Sequence, residues 1–282
     1  MDKFFLVANS DKERIKNKIE EIREYLKEKG VRCGYVNGYV KREDVPCDTE
    51  CVMVLGGDGT MLQASRELVG TSASFIGVNF GTLGFLAEVE RDDVKEMLNR
   101  LIKNQFKIEH RMMLTGQIIR DGSIIAEDVA LNDIVINRSG PLHIMNFSVY
   151  VNDMLLKEYK ADGMIVSTPT GSTAYSMSAG GPIVKPSANL TVLTPICPHT
   201  LNTRSIVLEG EDIIEIDINR SKKYQEDKRG VYFDGDRCTD LMEGDKIIIK
   251  KSKLSTKIIK LSSESFLEIL GKKMSSNEDS QT

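Results

Sequence analysis

The sequence predicts an α/β domain followed by an all-β domain, and three observations predict it. Over residues 1 to about 104, short apolar runs alternate with amphipathic helical periods, the pattern of a parallel sheet covered by helices, a Rossmann-like layout. From about 106 to 261 the helical periods stop, and short strand-like runs follow one another. A last amphipathic stretch, 262–273, then reads as a helix that packs back on the first domain. The expected divisions are therefore 1–105, 106–261, 262–273 and a small polar tail, 274–282, expected to be disordered.

Taken in order, Lys3 to Ala8 reads as a first buried strand. Asn9-Ser10-Asp11 opens a helix whose apolar stripe is Ile15, Ile19, Ile22 and Leu26, and Gly30 ends it. Val31 to Val36 reads as a second strand, and Cys51 to Leu55 as a third. Met61, Leu62, Ser65, Leu68 and Val69 share one face of the next helix. Ser74 to Asn79 is another strand, followed by the glycine-bearing loop Gly81 to Leu86. Val94, Met97, Leu98 and Leu101 mark one more helix.

In the second part, Arg111–Arg120 and Ser123–Ala130 flank Asp121-Gly122, which reads as a hairpin with a tight primed turn. Ile144–Val151 and Met154–Tyr159 flank Asn152-Asp153 in the same way. Further strands are expected at 190–193, 206–208, 213–218, 231–233, 246–250 and 257–261. A layered sandwich is favoured over a barrel. The closing helix should bury Phe266, Leu267 and Leu270.

Composition narrows the class. The chain has 282 residues, 40 % hydrophobic and 28 % charged, as in ordinary globular proteins. That length suits two domains, and one large α/β domain fits too. A net charge of −4 speaks against broad nucleic-acid binding. No apolar run is long enough to span a bilayer, and the N-terminus lacks a signal-peptide pattern, so neither nucleic acid nor membrane is an expected partner. The five cysteines are scattered, and no histidine cluster accompanies Cys47 and Cys51. Reduced thiols in a cytoplasmic protein are the expectation.

The stretch Gly56-Gly57-Asp58-Gly59-Thr60 carries the first chemical signal. It joins a strand to a helix, and ligands of open α/β sheets sit outside the carboxyl ends of strands. Gly56 and Gly57 can take backbone angles closed to other residues. Thr60 can cap the helix, whose N-terminus offers N–H groups to phosphate. Asp58 repels phosphate, so its expected role is toward a hydroxyl or a metal ion. By itself the motif is equally compatible with a plain turn into a helix. Neither a GxxxxGK[ST] loop nor a GxGxxG at the first strand is present.

Two further stretches lie in the β region. Asn132-Asp133 precedes an apolar strand run, so both residues are expected at its exposed start, where they can hydrogen-bond hydroxyls and an amide. Taken alone, a plain turn is the favoured reading. Lys160 to Pro182 runs from a strand into a loop dense in hydroxyls and glycine, TPTGSTAYSMSAGGP, with a helix expected near Ser172. Such a loop lets a polar ligand lie against the backbone, and Tyr175 offers a face for stacking.

Together GGDGT at 56–60, Asn132-Asp133, Asp162 with the TPTGSTAYSMSAGGP run, NFGTLGFLAE at 79–88 and FDGD at 233–236 resemble the NAD kinase family. The likeness spans about residues 50 to 240 in the family's order. GGDGT alone is similar in diacylglycerol and sphingosine kinases and, loosely, in phosphofructokinases. One departure is Asp133, where the family usually has Glu; the acceptor is kept but its reach shifts by one methylene.

The resemblance implies transfer of the γ-phosphate of ATP to the 2′-hydroxyl of the adenosine ribose of NAD. Some members accept inorganic polyphosphate. It implies a divalent metal such as Mg²⁺ with ligands not identified, a site between an α/β domain and a β-sandwich, and a homodimer or homotetramer. By position, Asp58 becomes the catalytic proton acceptor, while Gly56, Gly57, Gly59 and Thr60 shape the phosphate approach. Asp58 and Gly59 also fall to the NAD site. Asn132 and Asp133 become partners of nucleotide hydroxyls or of adenine. Lys160 and Asp162 resemble the family's basic-x-Asp-Gly contact to the dinucleotide, with Asp162 reaching across a subunit boundary. Thr173, Ala174, Tyr175, Ser176, Met177 and Ser178 resemble the adenine-side loop. His143 stands where members often place a polar contact, and Asp236 where they often have Gln. A diacylglycerol-type lipid kinase would share GGDGT without needing the loop at 168–178. A dinucleotide sensor could keep the loop, but has no need of Asp58.

Overall fold

Apolar runs bounded by turn residues become the strands of a parallel sheet. The computed structural model describes residues 1–9, 13–80, 84–90, 93–139, 144–200, 202–219, 228–262 and 264–276. The chain forms two units: Met1–His110 with the chain from Thr256 onward, and Arg111–Ser255. In the first unit β1 (Lys3–Ala8) pairs in parallel with β2 (Arg32–Asn37) and β3 (Cys51–Gly56). β3 pairs with β4 (Ser74–Asn79), which pairs with β5 (Ala87–Glu90). Three helices intervene: α1 (Glu13–Glu28), α2 (Asp58–Glu67) and α3 (Val94–Ile102). The stripes read from sequence on α1 and α3 are all buried, and they join Phe4, Leu6 and Ala8 of β1 in one cluster. On α2, Met61, Ser65 and Leu68 are buried, whereas Leu62 and Val69 are half-exposed and Gln63, Ala64 and Arg66 take their place inside.

The second unit is two antiparallel layers. It is built from β6 (Lys107–Arg120), β7 (Ser123–Ala130), β8 (Asp133–Ser139), β9 (Met145–Val151), β10 (Met154–Ala161) and β11 (Gly163–Ser167). A one-turn helix, α4 (Tyr175–Ser178), follows. Then come β12 (Leu190–Ile196), β13 (Ile206–Glu209), β14 (Ile214–Ile218), β15 (Lys228–Phe233), β16 (Arg237–Asp240) and β17 (Lys246–Lys260). One layer runs β13-β12-β11-β8-β15-β16, and the other carries β10-β9-β14-β17. Between them lies an apolar core that includes Ile134, Ile136, Met164 and Val166 from the first layer and Phe147, Val149, Ile214 and Ile247 from the second. The sandwich expectation holds. The two hairpin turns form as read: Asp121 and Gly122 have φ of 49° and 76°, and Asn152 and Asp153 have 48° and 64°, left-handed values typical of primed turns.

Two expectations are corrected. The segments 246–250 and 257–261 are one continuous strand, β17, whose end pairs with β4 at Ile258 and Phe75. Lys251 to Ser255 between them are half-exposed or exposed and Thr256 is buried, and the strand runs through them without interruption. The last helix, α5, spans Phe266–Ser276 and packs on the first unit as expected, but Leu267 is 73 % exposed and Ile269 replaces it on the inner face. Residues 277–282 of the tail fall outside the described residues.

Candidate active site

In the first unit, β3 ends at Gly56 and α2 begins at Asp58, with Gly57 as its N-cap. Gly57 has φ −101° and ψ −176°, extended backbone open to any residue, so the glycines are not there for a left-handed turn. A Cβ on Gly57 or Gly59 would meet nothing within 4 Å, so the space beside both is open, whereas one on Gly56 would come within 2.9 Å of Thr60 Oγ1. Thr60 does not cap α2, because it lies inside the first turn, where its own N–H bonds to Gly57 O at 3.1 Å. The first N–H groups of a helix lack intrahelical partners and suit an anion.

Asp58 is half-buried, and its carboxylate is held from the side. Phe85 N–H donates to Oδ2 at 2.9 Å, and Leu86 N–H donates to Oδ1 at 3.2 Å. Gly84 makes this approach possible, since a Cβ there would stand 1.9 Å from Asp58 Oδ1. In sequence, residues 81–86 look like a plain glycine-bearing loop, and neither Gly84 nor Phe85 stands out. The signal was a glycine next to an aromatic residue in a run where a plain connection needs neither.

In the second unit, Asn132, Asp133, Val135, Asn137, Ala174, Tyr175, Tyr232, Asp234 and Gly235 line a cleft of about 370 Å³. Four residues expected from sequence, Asn132, Asp133, Ala174 and Tyr175, therefore meet there. Thr173, Ser176, Met177, Ser178, Lys160 and Asp236 lie outside its lining. Lys160 is exposed on β10, and Asp236 is exposed as the last residue of the β15–β16 turn. His143 lies outside the described residues. Asp162 makes a two-point ion pair with Arg138, Nε to Oδ1 at 2.8 Å and Nη2 to Oδ2 at 3.0 Å. Hydrogen bonding to that guanidinium holds the Asp162 carboxyl below its usual range.

Asp133 is not at an exposed strand start. It is 5 % exposed, because β8 lies between β11 and β15. Burial first, then the neighbouring charge of Asp234, push its pKa up to about 7. Asp234, and not the Asp236 expected from sequence, is the organiser of this corner. Its carboxylate accepts N–H bonds from Leu131 (3.0 Å), Asn132 (2.7 Å) and Asp133 (3.3 Å). It reaches them from a left-handed Asp234-Gly235 turn, with φ of 50° and 73°. An Asp-Gly pair between two strand runs was the available signal.

Several hydroxyls of the 167–176 run are spent within the protein, while that of Thr170 is buried without a hydrogen-bond partner among the described residues. Thr168 donates to Leu131 O at 2.6 Å, Ser172 to Pro169 O at 2.7 Å, and Ser176 pairs with Thr194 at 3.0 Å. Gly171 sits where a Cβ would come within 2.1 Å of Asn132 O, so the loop is pressed against the start of β8. The helix expected near Ser172 is a 3₁₀ turn at Gly171–Thr173 followed by α4. Tyr175, 41 % exposed, is the face this scaffold presents to the cleft.

The raised pKa of Asp133 has a consequence for stability. Between about pH 4 and 7 the native state keeps a proton that the unfolded chain has released. Stability should therefore fall as pH rises through that window and level off above it. Asp133→Asn carries no charge at any pH, so it should gain on the wild type as pH rises from 4 to 7. Urea midpoints measured across that range check this, and a pH-independent difference would refute it.

Two family models match the chain: ATP-NAD kinase N-terminal domain over residues 37–106, and ATP-NAD kinase C-terminal domain over 131–261. The chain belongs to the NAD kinase family. An NAD kinase of Lachnoclostridium phytofermentans is 42 % identical over 96 % of this chain and 98 % of its own length. One from Lachnospira eligens is 43 % identical over 97 % and 100 %. Among solved structures, yeast NADH kinase complexed with NADH superposes with a TM-score of 0.84 at 24 % identity, covering 95 % of this chain and 87 % of that one. An NAD kinase from Archaeoglobus fulgidus in complex with ATP gives 0.79 at 24 % identity, covering 96 % and 98 %. These two likenesses establish the fold. Among the described residues no group of three or more His, Cys, Asp or Glu is placed to hold a metal ion.

Proposed function

We propose that this chain transfers the γ-phosphate of ATP to the 2′-hydroxyl of the adenosine ribose of NAD, giving NADP. The observation that carries the reading is Asp58 at the start of α2, its two oxygens each fixed by a backbone N–H, in a chain 42 % identical to an NAD kinase over nearly its whole length. Phosphoryl transfer asks a protein mainly for positioning and charge neutralisation. A carboxylate is a weak base toward a ground-state alcohol. Its role is to orient the hydroxyl and accept the proton late, as the bond to phosphorus develops.

We assign the adenosine to the cleft beside Tyr175, Asn132 and Asp133, and phosphate handling to Gly56, Gly57, Gly59 and Thr60. Lys160 and Asp162 are assigned to the dinucleotide, with release of Asp162 from Arg138 as the cost of that contact. Among the described residues Asp58 belongs to no group of three or more His, Cys, Asp or Glu placed to hold a metal ion. That donor set fits Mg²⁺ that arrives on the donor's phosphates, since this ion is commonly bound by one or two carboxylates plus substrate phosphates. When bound, the ion would neutralise charge on the transferring phosphoryl group. Inorganic polyphosphate as an alternative donor, a homodimer or homotetramer, and a cytoplasmic location belong to the same proposal.

The test is NADP formation by the purified chain from NAD, ATP and MgCl₂, followed with an NADP-specific dehydrogenase. Polyphosphate in place of ATP forms a second arm. No NADP from either donor, or phosphate placed on diacylglycerol, would overturn the proposal. A smaller expected effect concerns Tyr175→Ala: NAD binding should weaken by about 1 kcal/mol, roughly five-fold in Kd, through lost stacking and area. Calorimetry reads it, and an unchanged Kd removes Tyr175 from the adenine site.

A further inference from the structure

The contacts around Phe85 extend beyond Asp58. While its N–H and that of Leu86 hold the carboxylate, its ring is held by the C-terminal helix. Phe266 of α5 packs on it with ring centroids 6.4 Å apart and planes at 38°. Lys273, two turns further along α5, places Nζ 3.6 Å from the centroid of the Phe85 ring, a cation over an aromatic face. α5 also supplies Ile269 and Lys272 to a cavity of about 450 Å³ lined on its other side by Gly84, Phe85 and Met97. Lys273 feels Asp58 as well: burial lowers its pKa, and the Asp58 charge opposes that lowering.

Physical chemistry gives this chain of contacts a purpose. A carboxylate can turn about its last side-chain bond, so a single anchor leaves its lone pairs poorly aimed. Two N–H donors at fixed positions remove that freedom. They are fixed only as well as the 84–86 backbone is fixed, and Gly84 gives that backbone no side-chain anchor of its own. The ring of Phe85, clamped by Phe266 and Lys273, supplies the anchor. We propose that α5 is a positioning element for the reaction, with Lys273 and Phe266 clamping Phe85 so that the 85–86 backbone aims the Asp58 carboxylate. The inference rests on Asp58 being the proton acceptor, as proposed above. Lys273 and Phe266 are positioning residues, acting on substrate only through Phe85 and Asp58.

Lys273→Met keeps the length and apolar stem of the side chain and removes its charge. In the full chain, kcat for NADP formation should fall about ten-fold, with KM for NAD moving less than about two-fold, because aim and not binding is lost. The Phe85 and Leu86 amides should exchange hydrogen faster, since their bonds to Asp58 open more often. Lys273→Arg should restore both readouts, as a guanidinium also sits over an aromatic face. In a Phe85→Leu background, Lys273→Met should have no further effect. Unchanged amide exchange, an unchanged kcat, or a loss that Lys273→Arg does not restore would each overturn the clamp. A wild-type chain that makes no NADP would instead sink the functional reading, and the amide exchange of the Lys273 variants would then decide the clamp by itself.

Discussion

NAD lacking the adenosine 2′-hydroxyl should bind to this chain, compete with NAD, and accept no phosphate. A kinase for the 2′-position must separate two neighbouring ribose hydroxyls of similar reactivity. Asp58 can approach only one of them closely, because its carboxylate is tied by the Phe85 and Leu86 N–H groups and cannot swing to follow the other. A site built to hydrogen-bond a hydroxyl rejects an analogue lacking it by about 10⁴ or more, since buried polar groups then lose their partner. Stacking of adenine on Tyr175, as proposed, would not involve that hydroxyl, so inhibition by the analogue should survive. From NAD itself, phosphorus NMR should find phosphate at the adenosine 2′-position alone. Phosphate at a 3′-position would mean that the GGDGT turn was understood and the acceptor was not.

Asp58→Asn should lower kcat by about 10² or more, the usual contribution of a general base. Two effects act together. The amide cannot accept the proton, and it also replaces one of two acceptor oxygens by an NH₂ group. That donor would face either Phe85 N–H or Leu86 N–H, both of which now donate to carboxylate oxygens. The side chain would lose its aim as well as its basicity. NAD affinity should change much less, because most of the binding area assigned to NAD lies in the cleft beside Tyr175. Steady-state kinetics with calorimetry separates the two quantities. Turnover at the wild-type rate would remove Asp58 from the mechanism.

What could be read from the sequence by itself was set by short-range physics. The stripe Ile15, Ile19, Ile22 and Leu26 follows from 3.6 residues per turn, and all four are buried. The Asp121-Gly122 and Asn152-Asp153 turns follow from which residues tolerate positive φ, and both hairpins form. GGDGT between an apolar run and a helical period marked a strand-to-helix turn, though the helix starts earlier than Thr60 and takes in Asp58 as its first residue. The change from alternating to strand-only grammar separated an α/β part from a sandwich, because each element must bury its own apolar face. Only the tertiary structure decided who neighbours whom. Asp133 looks like a turn residue locally, yet it is buried because β11 and β15, distant in sequence, flank β8. The hydroxyls of Thr168, Ser172 and Ser176 look available to a ligand, yet they bond to the Leu131 and Pro169 carbonyls and to the Thr194 hydroxyl. Asp162 finds Arg138, and Phe85 finds Lys273, across separations that no period encodes. Periodicity and turn chemistry act within a few residues, whereas burial and hydrogen-bond partners are assigned by strand order and packing, and those exist only once the chain has folded.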